Sequence, residues 1–257
     1  MKGRKKMIKK FDVNITPFKL KRTIHLYLPD DYEESQEHYP VIYMYDGHNL
    51  FFDSDATYGK SWGMKDFLDG YDKKFIVVGM ECNHEGNERL NEYCPYTLPQ
   101  SYLGDIEGRG DIFMQWVVDE LKPYIDKNYR TIPFRECTMI AGSSMGGLMS
   151  IYTIVKHNDI FSKAACLSSA ISICMNELRD EILKRSLNPD TKVYIDFGSD
   201  ESRNKTALTY STANNLEISH LLNQKDVKTY PFIVINGKHN EATWEKQIPI
   251  FMNYLWK

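Results

Sequence analysis

Short apolar runs recur along the chain. "VIYMYD" (41–46), "FIVVGM" (75–80), "CTMIAG" (137–142), "KAACLSS" (163–169), "VYIDFG" (193–198) and "FIVING" (232–237) are continuous and rich in Val, Ile and aromatics. A strand with one wet face alternates apolar and polar residues, whereas a run that is apolar throughout is buried on both faces, as in a parallel sheet covered by helices. Between the runs the period changes to that of a helix. Phe113, Trp116, Val117 and Leu121 keep helical spacing in "DIFMQWVVDELKPYIDKNY", and "HNEATWEKQIPIFMNYLW" carries another apolar stripe. The first segments differ: "KKFDVNI" (9–15) and "RTIHLYLP" (22–29) alternate, and are joined through Thr16 and Pro17. The expected fold is α/β, a mostly parallel central sheet with an antiparallel N-terminal edge and helices on both faces, in one domain over residues 1–257.

The stretch from Cys82 to Gly110 interrupts this alternation. It is long, polar and punctuated by Pro and Gly, and a loop of that length is usually functional, here a substrate-facing lip. Composition narrows the partners. With 42% hydrophobic and 13% aromatic residues the chain buries a core, and a net charge of −3 without a basic stripe excludes nucleic acid. No run reaches the roughly eighteen apolar residues of a membrane span. The N-terminus opens like a signal peptide, but Ile8, Phe11, Val13 and Ile15 alternate with polar residues, so a cytoplasmic protein is expected. The five cysteines are scattered without CxxC spacing, which removes support for zinc and for a redox dithiol. Cys137 and Cys166 sit in apolar runs and are expected to be buried, reduced thiols.

One turn carries chemistry. Gly142-Ser143-Ser144-Met145-Gly146 fits G-x-S-x-G, directly after the strand "CTMIAG" and directly before the helix "GLMSIYTIVKHN". In that context the central serine, Ser144, sits on a strained strand-to-helix turn, and the glycines give clearance to neighbouring backbone. Ser143 is the adjacent alternative, but the motif frame selects Ser144. A serine hydroxyl is a weak nucleophile and needs a base, which in turn needs an orienting acid. His157 stands at a helix C-terminus and His220 inside a helical pattern. His239 follows the strand "FIVING" and precedes the last helix, the position such a base requires. The acid belongs after "KVYIDF", where Asp200 and Glu201 both qualify by position. Two N–H groups complete an oxyanion hole, that of Met145 and that of His48 in "DGHNLFFD", with Gly47 permitting a tight turn.

These segments together resemble the esterase D and enterochelin-esterase-like group of α/β-hydrolases, which includes feruloyl and acetyl-xylan esterases and siderophore esterases. "YMYDGHNLFFD", "GSSMGG", "IDFGSDE" and "GKHNEATWEKQIP" carry the likeness, which extends over nearly the whole chain. The resemblance implies an α/β-hydrolase fold. It also implies that the acid lies three residues beyond Gly198, at Glu201, with Asp200 as the minor alternative. His48 stands where many relatives have Gln. The implied activity is hydrolysis of a small, soluble ester through an acyl-enzyme, with no metal or organic cofactor. Siderophore-type ester cleavage, acyl transfer to another acceptor, and ligand binding without hydrolysis are the alternatives. Trp62, Arg89, Glu92 and Tyr93 fall in loops above the strand ends, where Trp62, Arg89 and Tyr93 are expected to touch substrate. Against this, Trp62 could anchor a helix and Arg89 could pair with Glu92.

Overall fold

The central sheet has eight strands, in a computed structural model that describes residues 8–202 and 204–257. In chain order they are β1 (Ile8–Ile15), β2 (Leu20–Tyr27), β3 (Val41–Tyr45), β4 (Ile76–Met80), β7 (Thr138–Ser143), β8 (Lys163–Leu167), β9 (Lys192–Gly198) and β10 (Lys228–Val234), while β5 (Leu98–Ser101) and β6 (Gly104–Ile106) form a separate hairpin. The spatial order is β1-β2-β4-β3-β7-β8-β9-β10. β1 and β2 pair antiparallel, as does β2 with β4, and every later pairing is parallel. This is the mixed sheet that the switch from alternating to continuous apolar runs implies.

Burial follows the pleat. Along β3, Val41, Tyr43 and Tyr45 join one apolar cluster, and Ile42 and Met44 join the other, so both faces are covered. On the first face lie α3 (Gly110–Trp116), α4 (Lys122–Asn128), α5 (Met145–Lys156), α6 (Met175–Lys184) and α7 (Lys205–Asn223); on the second lie α1 (Met64–Asp69) and α8 (Glu241–Trp256). Each fully buried Leu, Ile or Phe of these faces contributes roughly 1.5–3 kcal/mol. The helical stripe around Trp116 has one break. Val117–Leu121 winds as a π-turn between α3 and α4, just before Pro123, whose missing N–H and bulky ring do not allow an ordinary α-turn there.

Four expectations need correction. The stretch from Cys82 to Gly110 is not structureless, because it contains α2 (Glu88–Glu92) and the β5–β6 hairpin. The last strand is offset from "FIVING" and shares only Phe232–Val234 with it: β10 begins at Lys228, in register with Lys192 of β9, and ends at Val234. Nor is that run buried, since β10 is the sheet's edge and Ile235, beyond it, is 73% exposed. Cys137, expected inside, is partly exposed, while the other four cysteines are buried; all five are free. No helix among the described residues is long and apolar enough to cross a membrane.

Candidate active site

The parallel strands all end at one edge of the sheet, and there the loops gather. Ser144 follows β7 with φ 57° and ψ −119°, a conformation that costs a non-glycine residue on the order of 1–3 kcal/mol. Its backbone is pinned on both sides: its N–H donates to the Leu167 carbonyl, and its carbonyl accepts from the N–H groups of Leu148 and Ala170, each at 3.0 Å. The turn is so tight that a Cβ on Gly142 would meet the Gly146 backbone at 2.7 Å. Ser144 is thus the N-cap of α5, and the N–H of Met145, in the helix's first turn, has no intrahelical acceptor.

The loop after β3, from which the second donor is expected, turns in a different way from that expected. Asp46, not Gly47, takes the left-handed conformation, at φ 56°. Gly47 is needed for clearance, because a Cβ there would lie 2.4 Å from the Gly79 backbone of β4. The short 3₁₀ turn Gly47–Asn49 begins here, and the first bond it closes is Asn49 N–H to the Asp46 carbonyl. The N–H of His48 therefore precedes the first bond of that turn and has no acceptor within it.

Glu201 and His239 meet from the loops after β9 and β10. Glu201 Oε2 lies 2.8 Å from His239 Nδ1. Its other oxygen accepts from Gly198 N–H and from Ser168 Oγ, both at 2.6 Å, and Ser168 Oγ accepts in turn from Trp244 Nε1 at 2.8 Å. The Trp244 ring stands edge-on to the imidazole, with centroids 5.2 Å apart. A carboxylate held in this way fixes Nδ1 as the protonated nitrogen and leaves Nε2 as the free one. Asp200, which position alone could not distinguish from Glu201, is bonded to Ser199 instead. His239 is 44% exposed, and immediately after it Asn240 caps α8 by accepting from Thr243 N–H. Ser144 and His239 line the same cleft of about 490 Å³. Among the described residues no hydrogen bond joins them, and such contacts commonly tighten only when substrate binds.

Beneath Glu201 lies a second carboxyl group. Asp196 is 1% exposed and accepts from Ser168 N–H and Tyr194 OH. Burial pushes its pKa up to about 7, against the pull of those two hydrogen bonds and with a smaller upward push from the Glu201 charge. His157 caps the far end of α5, about 18 Å along the helix axis, and His220 is exposed on α7 beside Gln224.

The residues expected to touch substrate are arranged otherwise. Tyr93 is fully buried, with its ring 4.9 Å from that of Tyr45 and its OH accepting from Asp46 N–H. Trp62 is 2% exposed and packs on Trp244 at 5.6 Å. Neither lines the cleft, so both support its wall from behind. Arg89 does line it, but its guanidinium grips Asp46 through two bonds of 2.7 Å. Burial alone would raise the Asp46 carboxyl, and the Arg89 charge and hydrogen bonds outweigh it, holding the group below its ordinary range. Glu92, the alternative partner for Arg89, is buried against Arg22. Sequence reasoning missed Asp46, Ser168 and Glu241, which is buried at the start of α8 and faces the cleft. Ser168 had a signal, since it follows β8 just as Ser144 follows β7.

An eight-stranded mixed sheet with these loops at its carboxyl edge defines an α/β-hydrolase-fold enzyme. The chain belongs to the Putative esterase family, whose model matches residues 16–250. It is 26% identical over 192 residues to the uncharacterized protein YbbA of Bacillus subtilis, covering 73% of this chain and 72% of that protein. It is 28% identical over 151 residues to Esterase Rv1288 of Mycobacterium tuberculosis, covering 58% of this chain but only 29% of that longer protein. An IroE-like serine hydrolase of Shewanella oneidensis superposes with a TM-score of 0.75 at 19% identity, over 97% of this chain and 79% of the other, a likeness of fold.

Proposed function

We propose that the protein is a serine carboxylesterase that hydrolyses small, soluble acyl, acetyl or feruloyl-type esters through an acyl-enzyme on Ser144. The observation that carries this reading is the 2.8 Å contact between Glu201 Oε2 and His239 Nδ1, made on the sheet edge where Ser144 sits in its strained turn. His239 Nε2 takes the Ser144 proton as Oγ attacks the ester carbonyl. The oxyanion that forms is held by the N–H groups of Met145 and His48, each such donor lowering the barrier by roughly 3–4 kcal/mol. His239 then returns the proton to the leaving alcohol. Water enters, gives its proton to His239, and releases the acid from Ser144 by the same path in reverse. Glu201 holds the imidazole in its useful tautomer and stabilises the imidazolium. The open cleft suits a compact ester, and we place the enzyme in the cytoplasm.

Rapid mixing with p-nitrophenyl acetate tests this reading. The expected trace is a burst of about one nitrophenolate per chain followed by slower turnover, as an accumulating acyl-enzyme requires. In His239→Ala both phases should fall by on the order of 10³-fold or more. Equal rates in the two proteins would remove the base from the mechanism.

A further inference from the structure

Opposite the serine, two loops bring together side chains for which the esterase mechanism has no use. The loop after β3 contributes His48, and the loop after β4 contributes Cys82 and His84. One ligand-capable atom from each lies within 4.8 Å of the other two. Cys82 Sγ is 3.9 Å from His84 Nδ1, and the two imidazole rings stand edge to face with centroids 4.6 Å apart.

The hydrogen bonds around the cluster orient it. His48 is 6% exposed; its Nε2 is bonded to Thr57 Oγ1 at 3.0 Å, while its Nδ1 is buried and, among the described residues, has no partner. An unpaired buried nitrogen costs about 1–3 kcal/mol, so its presence calls for a reason. His84 Nε2 faces Glu81 Oε2 at 3.6 Å, and the other oxygen of Glu81 is held by His25 at 2.6 Å. His48 is thus held through Nε2 with Nδ1 unpartnered, the arrangement by which an outer hydrogen bond fixes a metal-binding imidazole, while His84 has a carboxylate neighbour on the side of its Nε2.

We propose that His48 Nδ1, Cys82 Sγ and His84 Nδ1 form a binding site for a borderline-soft divalent cation of the Zn²⁺ type, with its fourth position open to the cleft that Ser144 shares. Zinc bonds of about 2.0–2.1 Å to nitrogen and 2.3 Å to sulfur place tetrahedral N and S ligands roughly 3.6 Å apart. The Cys82–His84 separation is already close to that. The remaining separations, up to 4.8 Å, shorten on binding, and the His84 side chain, 54% exposed, has room to move. A donor set of one sulfur and two imidazoles disfavours Mg²⁺ and Ca²⁺, which require oxygen. On binding, the Cys82 S–H bond breaks, its proton passes to solvent and a sulfur–metal bond forms, with no change of oxidation state. The ion would stand beside His48 and crowd the oxyanion position. Zn²⁺ therefore inhibits ester turnover and a chelator restores it, a consequence that rests on the esterase reading.

The test is a titration of the tag-free full chain with Co²⁺, which reports a tetrahedral thiolate site by its visible d–d bands and near-ultraviolet charge transfer. The expected result is one Co²⁺ per chain, displaced by Zn²⁺, with the charge-transfer band lost in Cys82→Ser and affinity reduced at least about tenfold in His84→Gln. Ser144→Ala and Cys137→Ser should keep the spectrum, so the metal site stands or falls independently of the esterase reading. Circular dichroism checks folding; if Cys82→Ser does not fold, His84→Gln, altered at an exposed side chain, decides. Absence of the thiolate band in the wild-type chain, or binding unchanged in both variants, overturns the proposal. Full turnover with Co²⁺ or Zn²⁺ bound would overturn the placement of the open position.

Discussion

The two walls of the cleft are built on opposite plans. On the β7–β10 side, hydrogen bonds run in a line from Trp244 to Ser168 to Glu201 to His239 and end at an imidazole that is 44% exposed. On the β3–β4 side the contacts close on themselves. Arg89 and Asp46 satisfy each other, and Tyr93 packs beneath them. A line of bonds with a free end suits a group that must gain and lose a proton, whereas a closed ring suits a wall that must hold a backbone N–H in one direction.

Breaking the line at Glu201 should have the largest effect. Glu201→Gln keeps the size but removes the charge that stabilises the imidazolium, and kcat should fall by about 10²–10⁴-fold, while Asp200→Asn on the same loop should change it less than about twofold. Steady-state kinetics on one ester decide between the two carboxylates. The buried acid beneath the line gives the next effect, read as stability. Because burial raises the Asp196 pKa from its ordinary value to about 7, the folded chain holds this proton more tightly than the unfolded chain does. Stability from this group is full below about pH 4 and is lost as pH rises toward 7. Urea unfolding of the wild type should show a decline of a few kcal/mol over that window which Asp196→Asn lacks.

The closed wall should respond differently. Arg89→Ala leaves Asp46 buried and unpaired, and unfolding free energy should drop by about 1–3 kcal/mol, less than for a fully enclosed pair because Arg89 is 29% exposed. KM for charged and neutral esters should move together; a selective rise for anionic esters would return Arg89 to the role of a substrate contact. Ser168→Ala is the mildest break. It removes one bond from Glu201 and one from Trp244, and kcat should fall about tenfold with KM nearly unchanged.

Much of the fold was legible because burial on both faces of a strand leaves an unmistakable apolar run, and because glycines flank Ser144 where the chain must turn sharply. The ends of elements were less so. β10 lies three or four residues earlier than its apolar run, since pairing with β9 sets its register and an edge strand gains little from burying Ile235. Side-chain direction was not legible at all. Position alone left Asp200 and Glu201 undecided, and it was the resemblance that pointed to Glu201; the fold turns Glu201 toward His239 and Asp200 toward Ser199. Tyr93 and Trp62 stand in polar stretches that read as surface, yet the loops fold inward and use both rings as packing. The His48, Cys82 and His84 cluster joins two loops separated by thirty-odd residues, and no spacing rule for paired cysteines detects such a set.

The most direct test of the proposed chemistry is covalent labelling. A fluorophosphonate added to the folded protein, followed by proteolysis and mass spectrometry, should place a single phosphonyl group on Ser144, with no label in Ser144→Ala and slow labelling in His239→Ala. A label on Ser143, or an unlabelled Ser144 in protein whose folding is verified, would contradict Ser144 as the nucleophile.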